Sequence, residues 1–290
     1  MAKIVMPTTD LGFKKILASN EHKTITQGFI ADFFGLHVKL DDIHIVNPYS
    51  IKTYPDPTQD DPAQILRHTS RDVTVEVDLV DMTVELQMRH QPTFVQRAYY
   101  YLADLYTSGY NRDLDTASLD PDRYSSLRPA WSINILGEAM FDCPHSYHMF
   151  TLHDHATGEE LAPELVRFGF YELTKTDAQP QMARWRDFLT TGQASASDPD
   201  YLREAASIIE YINLSPQERH MIDAMEKASA DYDAGLYWAR HDGIQETRLS
   251  TGRAALRLGI PHDQVAEITS LDADTVSQLA EELASAPTSS

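Results

Sequence analysis

Three side chains in the stretch RDVTVEVDLVDMTVELQMRH, residues 71–90, could do chemistry together: Asp72, Glu85 and Gln87. The stretch alternates like two strands joined by a turn, and successive side chains of a strand point to opposite faces. Val73, Val75 and Val77 then share one face, and Asp72, Thr74 and Glu76 the other. After the turn, Val84, Leu86 and Met88 share a face, with Glu85 and Gln87 opposite. The apolar faces belong in a core, which leaves the Asp72 and Glu85 carboxylates together beside Gln87. Two carboxylates brought close repel unless a cation or a proton sits between them. A hard divalent ion such as Mg²⁺ takes one or two carboxylates and completes its shell with water or substrate phosphate. That is an arrangement for metal-assisted hydrolysis. The same alternation also describes a solvent-facing hairpin with ordinary polar residues.

These residues need strands and helices to hold them. Residues 8–18, TTDLGFKKILA, open with a capping signal and carry apolar spacing at Leu11, Ile16 and Leu17. By its position alone, Asp10 reads as part of that cap. A second helix, His22 to Phe34, sets Ile25, Phe29, Ile30, Phe33 and Phe34 on a broad apolar face, with Gly35 as its stop. Asp42 to Pro48 reads as a short strand. Residues 54–68 carry three prolines in a polar cluster and read as a surface loop. After Pro92 the spacing predicts a helix to about Ser108 that buries Phe94, Ala98, Tyr101, Leu102 and Leu105. Residues 111–128 read as a loop. Pro129 to Leu136, Tyr147 to His153 and Val166 to Leu173 read as strands, the last two bridged by a turn at Ala156, Thr157 and Gly158. His145, His148, His153 and His155 invite a zinc reading. Their spacing fits no zinc motif, there is no cysteine pair, and alternation sets His148 and His153 on opposite faces.

Composition sets bounds. The 290 residues are 42% hydrophobic, ample for a core and enough for one large or two modest domains. The one cysteine, Cys143, cannot make an internal disulfide. No apolar run approaches a membrane span, and the first ten residues lack a signal-peptide apolar region. The expectation is a cytoplasmic protein without a membrane partner. There is no glycine-rich phosphate loop, no Gly-x-Ser-x-Gly elbow and no Cys-x-x-Cys pair. The formal net charge is −20, with −10 in residues 1–190 and −10 in residues 191–290. Phosphate binding is mostly neutralisation by Lys and Arg, so a nucleic-acid partner would need a metal ion or a local basic patch. Lys14, Arg71, Arg89 and Arg97 are the candidates for such a patch; the ordinary reading of such residues is solvated or paired.

The order of motifs resembles the recombination-promoting nuclease and transposase family, a branch of the PD-(D/E)XK nucleases. The matching pieces are Thr9-Asp10 with Phe13-Lys14, Arg71-Asp72-Val73, Glu85-Leu86-Gln87, Arg97 with Tyr99-Tyr100, and Gly109-Tyr110. Tyr124-Ser125-Ser126-Leu127-Arg128-Pro129 and Glu172-Leu173 before Lys175 complete the series. The likeness covers about residues 1–190 well and the helical tail loosely; no single motif is specific, and the ordered set carries it. The resemblance implies an α/β fold: a restriction-endonuclease-like core with a central mixed sheet flanked by helices, plus an all-helical C-terminal region. The implied domains are residues 1–190 and 191–290. It implies DNA as partner and phosphodiester hydrolysis with Mg²⁺, Mn²⁺ or another divalent cation as cofactor. Asp72 and Glu85 would hold the metal, with the Leu86 carbonyl as a further ligand. Gln87 would stand where the broader superfamily has a lysine, Asp10 would be an extra acid, and Arg97, Tyr100 and Lys14 would face the substrate. Glutamine offers hydrogen bonds where lysine offers a charge. With the acidic balance, that keeps a second function class open: a catalytically weak or inactive nuclease-fold protein acting as an interaction module.

Residues 190–200, TTGQASASDPD, read as a linker, and helices are expected to begin near Pro199, Ser215 and Gly235. A helix to Leu258, a turn at Gly259-Ile260-Pro261, a helix from His262 to Thr269 and another from Ala273 give a helix-turn-helix cadence. From Gly259 to Ser290 there is no Lys or Arg, and the would-be reading helix carries Asp274, Glu281 and Glu282. A helix in the major groove should bring cations to phosphates and donors to base edges. Val276, Leu279 and Leu283 instead suit packing on a neighbouring helix or on a second copy, and a homo-oligomer through the helical region is the expectation. Deleting residues 259–290 should therefore leave DNA affinity and its salt dependence unchanged, with any effect in stability or solution mass. A clear loss of affinity with a flatter salt slope, at unaltered fold and mass, would contradict this.

Overall fold

A computed structural model describes residues 3–51, 73–77, 80–89, 91–108, 110, 124, 127–162, 164–176 and 179–285. The loop expected at 54–68, most of the one at 111–128, and Arg71, Asp72, Gly109, Ser125 and Ser126 lie outside the described residues. The alternation of the central stretch is realised as β2 (Val73–Val77) and β3 (Val80–Gln87), an antiparallel pair with Val73 opposite Val84 and Val77 opposite Val80. β1 (Ile43–Ile45) pairs with β2. On the other side, β3 runs parallel to β4 (Ala130–Leu136), which runs parallel to β6 (Val166–Glu172), with β5 (Tyr147–Phe150) antiparallel at the edge. The result is a mixed six-stranded sheet in the order β1-β2-β3-β4-β6-β5.

The register sorts the side chains onto two faces. One is apolar: Val73, Val75, Val77, Met82, Val84, Trp131, Ile133, Ile135 and Tyr171 are all buried there. Helices α1 (Asp10–Leu17), α2 (Lys23–Phe34), α4 (Pro180–Thr191) and α5 (Asp200–Ile208) belong to this side. Phe33 of α2 meets the Tyr171 ring edge-on at 5.2 Å, and the Tyr171 hydroxyl donates to Met182 O of α4 at 2.6 Å. Asp32 of α2 accepts from Trp185 of α4 and Tyr201 of α5, which ties the three helices together. Gly28 lets α2 and α5 approach closely, since a Cβ there would come within 2.5 Å of the Tyr201 ring. The opposite face carries α3 (Phe94–Ser108), whose Phe94 and Ala98 pack with Leu136 of β4 and Phe170 of β6.

Local chemistry sets the helix ends. Thr9 Oγ1 accepts from Gly12 N, so Thr9 is the N-cap of α1 and Asp10 is its first helical residue. Gly35, at φ +66°, ends α2 as its sequence position predicts. Helix α6 (Pro216–Arg257) opens with a reciprocal capping box. Ser215 Oγ accepts from Glu218 N at 3.2 Å, and Glu218 Oε2 accepts from Ser215 N at 2.7 Å. The other Glu218 oxygen holds Lys15 Nζ at 2.6 Å and the Tyr49 hydroxyl at 2.7 Å. One buried carboxylate thus joins α1, the chain after β1 and the start of α6.

Two expectations are corrected. Helix α6 runs unbroken through Gly235, so no helix begins there. A glycine costs a helix interior about 1 kcal/mol, too little to interrupt 42 residues. Strand β5 stops at Phe150 and does not reach His153. Asp154 Oδ1 accepts from Ala156 N, Thr157 N and the Thr157 hydroxyl, closing the turn expected at Ala156–Gly158, and His153 bridges Glu160 across that turn instead of continuing along β6. The residues of 190–200 form a tight connection between α4 and α5, with Gly192 at φ +69° ending α4.

The chain divides into two compact units, Met1–Ala224 and Met225–Ser290. In the second, Ala255 of α6 packs with Val265 of α7 (His262–Thr269) and Val276 of α8 (Ala273–Ser285). Leu279 is buried there too, so the apolar positions of the last helix face its neighbours. Among the described residues, no helix is long and apolar enough to cross a membrane.

Candidate functional site

The face of the sheet opposite the apolar core carries a row of buried polar groups. On β3 they are Asp81, Thr83 and Glu85, and on β4 Ser132 and Asn134. The parallel register sets Thr83 beside Ser132 and Glu85 beside Asn134, and side chains in register share a face. Glu85 is 7% exposed and Asn134 1%. The amide nitrogen of Asn134 donates to Gly169 O of β6 at 2.9 Å and lies 3.4 Å from Ser132 Oγ. Its oxygen is buried with no hydrogen-bond partner among the described residues. At the start of the row, Arg128 Nε lies 3.4 Å from Asp81 and its Nη1 3.9 Å from Glu76 of β2, so this arginine answers two of the acids.

Several of the expected site residues are brought together. Gln87 ends β3, and its Oε1 accepts a hydrogen bond from Arg97 Nη2 of α3. Arg97 Nη1 donates to Gln91 Oε1 at 2.6 Å. Gln87 Nε2 donates to Arg89 O. Asp10 and Lys14 pair with each other on α1 at 2.9 Å, both nearly buried. Tyr100 is 62% exposed on α3 and lies against Tyr101, 5.9 Å between ring centres. Asp72 lies outside the described residues.

Glu172 has a larger structural role than its sequence position shows. It ends β6 in the same row as Leu136 and Gln87, and it is fully buried. Oε1 accepts from the backbone N–H groups of Met140 and Phe141, and Oε2 from Lys175 Nζ at 2.5 Å, with His148 Nε2 at 3.3 Å. Lys175 also donates to Phe141 O at 2.6 Å. Burial pushes the carboxyl pKa up. The Lys175 hydrogen bond and charge and the two backbone donors pull harder, and hold it below the usual carboxylate range. The carboxylate fixes the loop after β4 beside the end of β3.

The donor set fits a hard cation. Glu85 offers carboxylate oxygen and Asn134 a carbonyl oxygen, the ligand type that Mg²⁺ and Mn²⁺ prefer. Among the described residues, no group of three or more His, Cys, Asp or Glu is gathered as a metal site. Reasoning from the sequence passes over Ser132 and Asn134. Their signal is two polar residues at alternate positions of PAWSINIL, a strand buried along its whole length.

The profile of the PD-(D/E)XK nuclease family transposases matches residues 7–239. The chain belongs to that family. No curated protein and no solved structure matches it. The match spans the whole mixed sheet and its helices, so the acid on β3 and the glutamine two residues later stand inside the family's domain.

The Glu172 cluster generates a stability prediction. Glu172→Gln should destabilise the fold by about 2–3 kcal/mol at pH 7, because it leaves Lys175 without its buried counter-charge. A carboxyl whose folded pKa lies below its unfolded value contributes stability above the unfolded pKa and loses it as pH falls through the folded one. The gap between wild type and variant in urea unfolding should therefore be full at neutral pH. It should close as the pH falls below the ordinary carboxylate range. A gap that persists at low pH would contradict the charge as its cause.

Proposed function

We propose that this member of the PD-(D/E)XK nuclease transposase family is a divalent-metal-dependent DNA endonuclease, with Mg²⁺ or Mn²⁺ bound at Glu85 and Asp72. The observation that supports it most is Glu85 itself. It is a carboxylate 7% exposed, in register with Asn134 on a strand face that also carries Asp81 and Thr83, and oxygen donors of this kind are what a hard divalent cation takes. A bound divalent cation supplies Lewis acidity, lowering the pKa of an attacking water and drawing charge from a phosphate oxygen. Glu85 and Asp72 hold that charge in place, and Gln87 orients what lies beside it.

The missing superfamily lysine has a local answer. The guanidinium of Arg97 sits on Gln87 Oε1, so a cation stands at the end of β3 although the strand carries none there. Arg97 keeps further N–H groups that can reach a phosphate oxygen. Tyr100, exposed on the same helix, is placed to contact a nucleic-acid backbone. Lys14 pairs with Asp10 on α1 at 2.9 Å, so its charge is already matched by an acid. A second reading, a nuclease-fold interaction module that does not cut, is favoured by the net charge of −20 and by the pairing of Lys14.

The deciding experiment is nicking of supercoiled plasmid with Mg²⁺, against EDTA, for wild type, Asp72→Asn and Glu85→Gln. The expected result is metal-dependent nicking that falls on the order of a hundredfold or more in each variant, with thermal unfolding still cooperative. Arg97→Ala should slow nicking, and Gln87→Lys in that background should restore part of it. Absence of nicking by wild type with any divalent ion would favour the interaction module. Undiminished nicking by both acid variants would remove Asp72 and Glu85 from the site.

A further inference from the structure

The geometry points to Asn134 as an additional oxygen donor to the divalent cation of the Glu85 site. The inference rests on the metal reading above and adds a residue on a different strand, one that no motif identifies. Asn134 is 1% exposed, and its amide oxygen has no hydrogen-bond partner among the described residues. The alternative orientation of the amide is excluded by its surroundings. A flip would turn the oxygen onto Gly169 O, which now accepts from the amide nitrogen at 2.9 Å, and set two acceptors against each other. The nitrogen is thus committed to the β6 side, and the oxygen takes the other branch of the amide.

On that other side runs β3, and the residue in register with Asn134 there is Glu85. Paired strands lie about 4.8 Å apart, so a carbonyl oxygen and a carboxylate share one buried patch. A buried carbonyl oxygen left unmatched costs about 1–3 kcal/mol. Proteins rarely retain such a group without a function or a bound ion or water. An oxygen donor adjacent to a carboxylate, both out of bulk water, fits the oxygen shell of Mg²⁺ or Mn²⁺. The amide nitrogen, anchored by Gly169 O, fixes the oxygen as a hydrogen-bonded metal ligand is fixed by its outer partners. The buried row on this face therefore works as one device: Glu85 brings charge, and Asn134 brings a rigid neutral donor that adds no repulsion.

The test is Mn²⁺ binding to the full chain without DNA, read by electron paramagnetic resonance and calorimetry, with thermal melts for each protein. Asn134→Leu, of similar size and without oxygen, should weaken Mn²⁺ binding by about tenfold or more. Asn134→Asp keeps an oxygen in place and adds charge, and should bind Mn²⁺ more tightly than wild type. If Asn134→Leu does not fold, Asn134→Asp decides: unchanged or weaker binding overturns the inference. Wild-type affinity in Asn134→Leu, with binding lost in Glu85→Gln, would overturn the role of Asn134 and leave the cation reading standing. Absence of Mn²⁺ binding by wild type would overturn both.

Discussion

A sheet buried on both faces must account for every polar group it takes out of water, and here one face of β3 and β4 takes out five. Asp81, Thr83, Glu85, Ser132 and Asn134 are all under 10% exposed. An apolar set at these positions would bind the strands as well and cost no desolvation. The opposite face shows what the fold does where only stability is asked of it: valines, isoleucines, Trp131 and Tyr171 packed under α2 and α4. The two faces of this one sheet thus differ, one apolar along its length and the other polar along much of β3 and β4. Parallel pairing of β3 with β4 matters here, since that register is what sets an amide beside a carboxylate.

Around this row the structure handles charge by fixed pairing. Arg128 answers Asp81 and Glu76, and Lys14 answers Asp10. Lys175 and two backbone donors answer Glu172, and Lys15 and Tyr49 answer Glu218. A chain with a net charge of −20 can meet a polyanion only where its few cations are concentrated. Arg97 is held at the end of β3 by two glutamines, Gln87 and Gln91. Glutamine at position 87 therefore has a structural effect of its own. It recruits a cation from the following helix while leaving its own position neutral.

Much of this was legible in the sequence because it is written in short-range periodicity. Alternation gave the faces of β2 and β3, and the spacing after Pro92 gave the buried Phe94, Ala98 and Leu102 of α3, while Tyr101 and Leu105 stay half-buried. The helix expected to begin near Ser215 does begin there. Gly235 misled, because a single glycine marks a helix end only when nothing downstream continues the pattern, and α6 continues to Arg257. His153 misled for a different reason: the turn after it was expected, but His153 pairs across that turn with Glu160 and not with β6, and alternation does not tell one partner from the other. Lys175 stands three residues from Glu172, but the other partners lie further off on the loop after β4 and across on β5, and no local signal joins those. The pairing of Glu85 with Asn134 is hidden in the same way, since it depends on which strand lies beside β3. Alternation and the motif order both point to Asp72, which lies outside the described residues.

The central claim is that the buried polar face of β3 and β4 is a cation site. Its most direct measurement is the anomalous scattering of Mn²⁺ in crystals of the protein grown or soaked with the ion. The account predicts a single strong peak in contact with the Glu85 carboxylate, with oxygen ligands at about 2.0–2.6 Å. A peak elsewhere, with a well-ordered Glu85 turned away from it, would contradict the account.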